Sequence, residues 1–455
     1  MRVERIALKN IGPFEDAVLE MPPAPSTGGE VILFEGPNGT GKTTIAQVLA
    51  AVAWSRARSL SDIEREVRRR GRSADFRAEI RFVAGDQWTD AVVDDRSISW
   101  TSDAPGAQAS CVPSILLDQF GSAARGPSAP VRWAAFAFGP HLPTLDLASE
   151  GPRRIDEGPL SGALSFGRQT PAARHLGQLL VNLEFDMIKA ERYARTAATP
   201  EEREKLETTA RNRQNEMASI TGALSKVLGR SVKIELPVGS VDRQSPTLRL
   251  DDDPPIPMDL LGEGFRSTSA WLSDLMVRLL RVEWQDPSIP PFEQEFWLIL
   301  DEVEESLHPQ MQIRLLPSLR EIFPNARIYA TTHSPFVVAS LGEGYVFRLR
   351  PDARTHRVSG TIQPLALTPG RSLEWVVEEV FDAPAQIVDE ATREKLEVHR
   401  RGVDALRRSA AVDWSDFLAT REWLRGLNDE IRAIVSMREV PVRARIEEKL
   451  QEKAA

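Results

Sequence analysis

The eight residues Gly36-Pro37-Asn38-Gly39-Thr40-Gly41-Lys42-Thr43 fit the pattern G-x-x-x-x-G-K-[ST] in full. Glycines in such a turn let successive backbone N–H groups converge on phosphate oxygens, and a helix starting at the last residues adds its positive dipole end. Lys42 is expected to reach the β- and γ-phosphates of a nucleotide and the Thr43 hydroxyl to ligate Mg²⁺, with Thr44 next in the same turn. A second constellation is Trp297-Leu298-Ile299-Leu300-Asp301-Glu302, an apolar run that ends in two carboxylates. A buried parallel strand delivers its ligand-binding groups at its carboxyl end. Asp301 is therefore expected to hold Mg²⁺ through water, and Glu302 to polarise the attacking water as general base. Together the two segments predict an ATP and Mg²⁺ site with Lys42 and Glu302 in catalytic roles.

The flanking residues must position these groups. Val31-Ile32-Leu33-Phe34 before the glycine turn reads as a buried parallel strand, and Thr43 to Arg56 as an apolar helix. Val3 to Leu8 alternate in strand fashion, with a return strand over Ala17 to Met21. Short strands are predicted between residues 75 and 140, including Phe76 to Phe82 and Val131 to Phe138. Residues 171–226 are helical in pattern, and Thr199-Pro200-Glu201-Glu202 is a helix start: a cap, a first-position proline and acidic first-turn residues. Strands resume at Val232 to Leu236 and Thr247 to Leu250. A helix over Phe265 to Glu283 carries Trp271, Leu272, Leu275, Met276, Leu279 and Leu280 on one broad face. Phe296 to Leu300 and Arg327 to Thr331 read as further buried strands. Beyond residue 350 the chain reads as mostly helical and charged.

The chain has 455 residues and a net charge of −9. That charge argues against a surface that coats nucleic acid on every face, but leaves room for a local basic groove. The single cysteine, Cys111, has no partner for an internal disulfide and reads as a buried small hydrophobe. No stretch approaches the about 18 consecutive apolar residues of a membrane helix. The expectation is a cytoplasmic protein that meets a membrane only through a partner.

Several further segments carry a family resemblance. Leu261-Gly262-Glu263-Gly264-Phe265-Arg266-Ser267 resembles the Leu-Ser-x-Gly signature of ABC-type ATPases, with Gly262 standing where a serine is usual. Glu304-Glu305-Ser306-Leu307-His308-Pro309 looks like a D-loop with a Leu-His-Pro extension, and Thr331-Thr332-His333-Ser334-Pro335 like the segment carrying the switch histidine. With Asn10 to Phe14, these segments resemble the heads of SMC-like, RecF-like and OLD-type ATPases. The nearest resemblance is to AAA_15/AAA_21 ATPases of prokaryotic anti-phage defence, Septu-type and retron-associated ones among them. It covers residues 1–56 and 226–350.

The resemblance implies an α/β P-loop head of ABC type: a mixed-sheet core, an antiparallel β lobe, a short helical insert and a helical C-terminal segment. It implies divisions at 1–170, 171–226, 227–350 and 351–455. Leu261 and Gly264 would contact the γ-phosphate held by a second head, and His333 would report that phosphate from its own side. His308 reads as a structural helix-entry residue. Gln119 and Gln87 are the alternatives for a metal-coupling glutamine. Two heads would close on ATP as a homodimer or higher oligomer and control a separate effector, such as a nuclease or toxin; DNA is a further candidate partner. The C-terminal helices, with Leu373, Val376, Val377, Val380 and Phe381 at helical spacing, would either dock a partner or pack on the head. The alternatives are an OLD-type ATPase/nuclease, disfavoured because no strand-borne Glu followed by Asp-x-Asp is found after residue 350, and a DNA-repair ATPase of SMC or RecF type.

Overall fold

The computed structural model describes residues 2–23, 28–53, 70–71, 76–84, 87–93, 98–102, 130–139, 152, 155, 158–160, 163–164, 175–235, 247–251, 253–255, 262–382, 389–427 and 429–454. Cys111, Gln119 and Leu261 lie outside these residues, as does the side chain of Gln87.

Two six-stranded sheets form the head among the described residues. In the first, β1 (Arg2–Ile11) pairs antiparallel with β2 (Phe14–Glu20) and β4 (Arg77–Ala84). β5 (Gln87–Val93) and β6 (Ile98–Ser102) continue it on one side, and β13 (Val358–Ile362) runs parallel to β2 on the other. The second sheet has the order β14-β12-β3-β11-β10-β7. It comprises β3 (Glu30–Glu35), β7 (Ala134–Phe138), β10 (Phe296–Leu300), β11 (Arg327–Thr332), β12 (Gly344–Arg348) and β14 (Pro364–Leu367). Every pairing in it is parallel except β12 with β14. Parallel strands are buried on both faces, and this is why β3, β7 and β10 are fully buried and apolar almost throughout.

Alternation along the central strands divides the core in two. Ile32 and Phe34 of β3, Trp297 and Ile299 of β10 and Tyr329 of β11 face the first sheet and α1 (Lys42–Ala53). Val31, Leu33, Leu298 and Leu300 face the helices on the other side. Trp297 joins the two sheets, meeting Phe82 edge-on at 6.3 Å, Tyr329 at 5.5 Å and Trp133 at 5.3 Å between ring centroids. α1 is apolar all round because it lies in this sandwich, with only Thr43 of its twelve residues not fully buried.

The second core half receives α2 (His175–Ala194), α3 (Pro200–Leu228), α4 (Glu263–Arg281), α5 (Pro309–Ile322) and α6 (Pro335–Ser340). α2 and α3 form a helical hairpin. The start of α3 matches expectation: Thr199 accepts the Glu202 N–H at 3.1 Å with Pro200 in the first turn. β8 (Val232–Glu235) and β9 (Thr247–Leu250) pair as a small separate ribbon. Past residue 350 two strands precede any helix. β13 and β14 are short and little alternated, and only their pairing with β2 and β12 reveals them.

The chain divides into two compact units, 1–381 and 382–455. The first ends with α7 (Leu373–Glu379), whose Val376, Val377 and Val380 are buried. The second is helical: α8 (Glu390–Arg407), α9 (Trp414–Arg425), α10 (Asp429–Glu439) and α11 (Arg443–Ala454). No helix among the described residues is long and apolar enough to cross a membrane.

Candidate active site

The glycine turn leaves β3 and enters α1 as the sequence requires. Gly39 and Gly41 have φ of 83° and 97°, a region that favours glycine. At Gly41 a side chain is also excluded by space, since a Cβ would lie 2.4 Å from the Phe14 ring. The turn between β1 and β2 thus presses on the loop, and a Cβ at Gly12 would lie 2.9 Å from the Thr44 hydroxyl. Thr40 donates to the Pro37 carbonyl at 2.8 Å.

Lys42 bends back over this loop. Its Nζ donates to the Gly36 carbonyl at 2.6 Å and the Pro37 carbonyl at 3.1 Å. Burial lowers its pKa, against the opposing pull of Glu35, Glu302, Glu304 and Asp301. A cation held among carbonyls at the mouth of a phosphate cradle is placed to exchange those contacts for phosphate oxygens.

Asp301 stands at the end of β10, with its side chain among Thr43 and Thr331. The Thr43 hydroxyl lies 3.2 Å and the Thr331 hydroxyl 2.7 Å from Asp301 Oδ1. Burial pushes the Asp301 carboxyl up, while the hydrogen bonds from Thr331 and Thr43 pull it down. The paired Thr43 hydroxyl and Asp301 carboxylate are hard oxygen donors. They suit Mg²⁺, which is bound by few protein groups and completes its shell with water and phosphate. A dedicated cluster of three or more His, Cys, Asp or Glu ligands is absent among the described residues, as this mode of binding allows.

Glu302 has a φ of 53°, a left-handed conformation uncommon for a residue with a side chain. Thr331 holds it there: the hydroxyl that donates to Asp301 also accepts the Glu302 N–H, at 2.8 Å. Asp301 and Glu302 are thus pinned by one residue of the neighbouring strand. His333 follows that strand. Burial lowers the pKa of its imidazole, the Lys42 charge lowers it further, and Asp301 opposes. The structure therefore brings Lys42, Thr43, Asp301, Glu302 and His333 to one end of the parallel sheet.

Gly264 lies against the loop that follows Glu302. It sits in the first turn of α4, where a Cβ would come 2.0 Å from the Ser306 carbonyl oxygen. Gly262 caps α4 without a side-chain hydrogen bond, and a side chain there would meet open space. His308 is the N-cap of α5, its Nδ1 accepting from the Gln310 N–H, in keeping with a helix-entry role.

Three neighbours of the site had no role assigned from sequence, although Glu304 belongs to the Glu304–Pro309 segment. Arg70 donates to the Thr44 hydroxyl at 3.2 Å, its charge favours ionised Asp301, and its carbonyl accepts the Gly12 N–H. Glu35, buried at the end of β3, pairs with Arg350 at 2.8 Å. Glu304 accepts the His333 backbone N–H. The Glu304–Pro309 segment was the signal that marked Glu304, without this role; Arg70 and Arg350 had none.

Two family models match the chain: "AAA domain, putative AbiEii toxin, Type IV TA system" over residues 146–339, and "AAA domain" over residues 5–100. The chain is similar to the Septu protein PtuA of Bacillus thuringiensis, 28% identical over 27% of this chain and 31% of that protein. It is likewise similar to the Septu protein PtuA of Bacillus mycoides strain KBAB4, 29% identical over 19% of this chain and 11% of that protein. To the Retron Ec83 probable ATPase of Escherichia coli it is 25% identical, over 27% of this chain and 21% of that protein. The chain thus matches less than a third of the length of these curated relatives. Similar solved structures include an SmcHead bound to the C-winged helix domain of ScpA (TM-score 0.43, 13% identity, 81% of this chain and 98% of the other). Another is the SMC head domain from Thermotoga maritima (TM-score 0.38, 12% identity, 81% and 99%). The sheet order and the glycine loop are those of an α/β P-loop fold, and both family models that match it are AAA domains.

Proposed function

We propose that the chain binds ATP with Mg²⁺ at Gly36–Thr44 and hydrolyses it in the course of head dimerisation, so as to control a separate effector protein in anti-phage defence. The observation that carries this reading is the double use of the Thr331 hydroxyl, which fixes Asp301 opposite Thr43 and turns Glu302 out of the strand end. Backbone N–H groups of the loop and Lys42 bind and orient the phosphates. Thr43 and Asp301 would hold a Mg²⁺ ion, which would supply charge neutralisation at the phosphates. Glu302 orients a water in line with the γ-phosphate and draws off its proton. His333 contacts the same phosphate. The Gly262–Gly264 segment of one head, at the positive dipole end of α4, caps the γ-phosphate held by the other. The likeness to Septu proteins and a retron ATPase supports an effector partner, and a nuclease or toxin is the class proposed.

Two variants test the reading. Glu302→Gln should bind ATP, lower turnover by about 10²–10³-fold and accumulate as an ATP-bound dimer in light scattering. Lys42→Ala should lose ATP binding by calorimetry. A Glu302→Gln protein that turns ATP over normally and stays monomeric would sink the proposal.

A further inference from the structure

The structure assigns Glu304 as a positioning residue: its carboxylate, by accepting the His333 backbone N–H, holds the histidine loop at the nucleotide site, and Gln312 braces the same two loops. This inference rests on the ATPase reading above.

His333 lies one residue beyond β11, whose last ladder partner is Thr332 opposite Glu35. Its N–H is therefore a backbone donor just past the sheet, and such donors need an acceptor where water is scarce. Glu304 supplies it from the loop that follows Asp301. That loop reverses direction at Glu302, with φ 53°, and again at Ser306, with φ 61°, and so carries the Glu304 side chain back toward β11.

The residues on either side of His333 are fastened too. Ser334 donates its N–H to the Thr332 hydroxyl oxygen at 3.0 Å, and its own hydroxyl accepts the Phe336 and Val337 N–H groups as the N-cap of α6. The same hydroxyl donates to Gln312 Oε1. Gln312 Nε2 in turn donates to the Leu307 carbonyl at 2.8 Å. The 302–307 loop and the 332–334 loop are thus joined at two points, Glu304 to His333 and Gln312 to Ser334, and the His333 imidazole is close enough to Lys42 to feel its charge. A carboxylate placed beside Asp301 and Glu302 adds negative charge where phosphate must bind, an unfavourable choice unless the hydrogen bond it makes is used.

A double-mutant cycle in the full chain separates this role from general bracing. Glu304→Ala should lower kcat for ATP by about tenfold with KM little changed, because a contact made in the transition state is lost. In a His333→Ala background the same change should have almost no further effect, since the two residues act as one unit. Glu304→Gln, whose amide oxygen still accepts an N–H, should retain most of the rate. The inference is overturned if Glu304→Ala costs the same factor with and without His333, if His333→Ala alone leaves kcat unchanged, or if Glu304→Gln is as slow as Glu304→Ala. Should Glu304→Ala not fold, Gln312→Ala is carried through the same cycle with the same expectations. Failure of the ATPase reading looks different: Lys42→Ala and Glu302→Gln would then leave turnover untouched.

Discussion

One hydroxyl decides the geometry of two carboxylates. Thr331 is fully buried, and its side chain both donates to Asp301 and accepts from the Glu302 backbone. Valine has nearly the same shape and can do neither. Thr331→Val is expected to destabilise the protein by about 1–3 kcal/mol, the cost of an unsatisfied buried donor beside a carboxylate. It should also slow ATP turnover by more than Thr331→Ser, which keeps the hydroxyl. Chemical denaturation and steady-state kinetics of the pair give both numbers. Equal behaviour of the valine and serine variants would remove Thr331 from the site.

At the scale of elements, the start of α4 meets the loop that carries Glu304. Gly264 is there for close approach: a methyl group would sit 2.0 Å from the Ser306 carbonyl oxygen, with the Leu307 Cα 3.4 Å away. Backbone cannot yield as a flexible side chain can. Gly264→Ala should therefore cost about 1–3 kcal/mol by overpacking and shift the Ser306 segment. Gly262 presents the opposite case. It is the N-cap of α4 and faces open space, so Gly262→Ser should fit and, by capping the helix, stabilise it by a few tenths of a kcal/mol. Thermal melts of the two single variants test the contrast, and a stabilised Gly264→Ala would contradict it.

At the scale of the molecule, the head and the unit over 382–455 are stabilised by different means. The head has a large two-layered apolar core. The second unit has two small clusters, one around Phe417 and one around Leu424, together with a buried polar centre. There Glu439 accepts from Arg421 Nε at 2.8 Å and lies 3.0 Å from His399 Nε2, while the imidazole stacks on Phe417. Burial alone would raise the Glu439 pKa, but the hydrogen bonds from His399 and Arg421 outweigh it and the pKa is lowered. A carboxyl whose folded pKa is depressed gives stability that is fully present above its unfolded pKa and lost as pH falls through the folded one. The second unit should therefore keep this contribution at neutral pH and lose it below the ordinary carboxylate range. Glu439→Leu should cost about 3 kcal/mol at pH 7, because Arg421 is left without its carboxylate, and should flatten that acid dependence. Denaturation followed by Trp414 and Trp423 fluorescence across pH reads both effects; an unchanged acid limb would refute the assignment.

Elements whose signals are local are legible in the residues alone. The glycine loop, the apolar runs of β3 and β10, the Thr199 helix start and the Asp301-Glu302 pair follow from residue type and spacing, because backbone freedom, burial and capping act within a few residues. His333 was legible only because it follows a third such strand. Contacts between segments distant in sequence come from the packing of the whole chain. That packing set Thr331 on Glu302, Arg70 on Thr44, Arg350 on Glu35 and Glu304 on the His333 backbone, and it recruited the weakly patterned β13 and β14 into the sheets. An isolated threonine, arginine or glutamate carries no mark of its partner. The partner is fixed by which strand lies beside which, and the strand order is set by burial of the whole core.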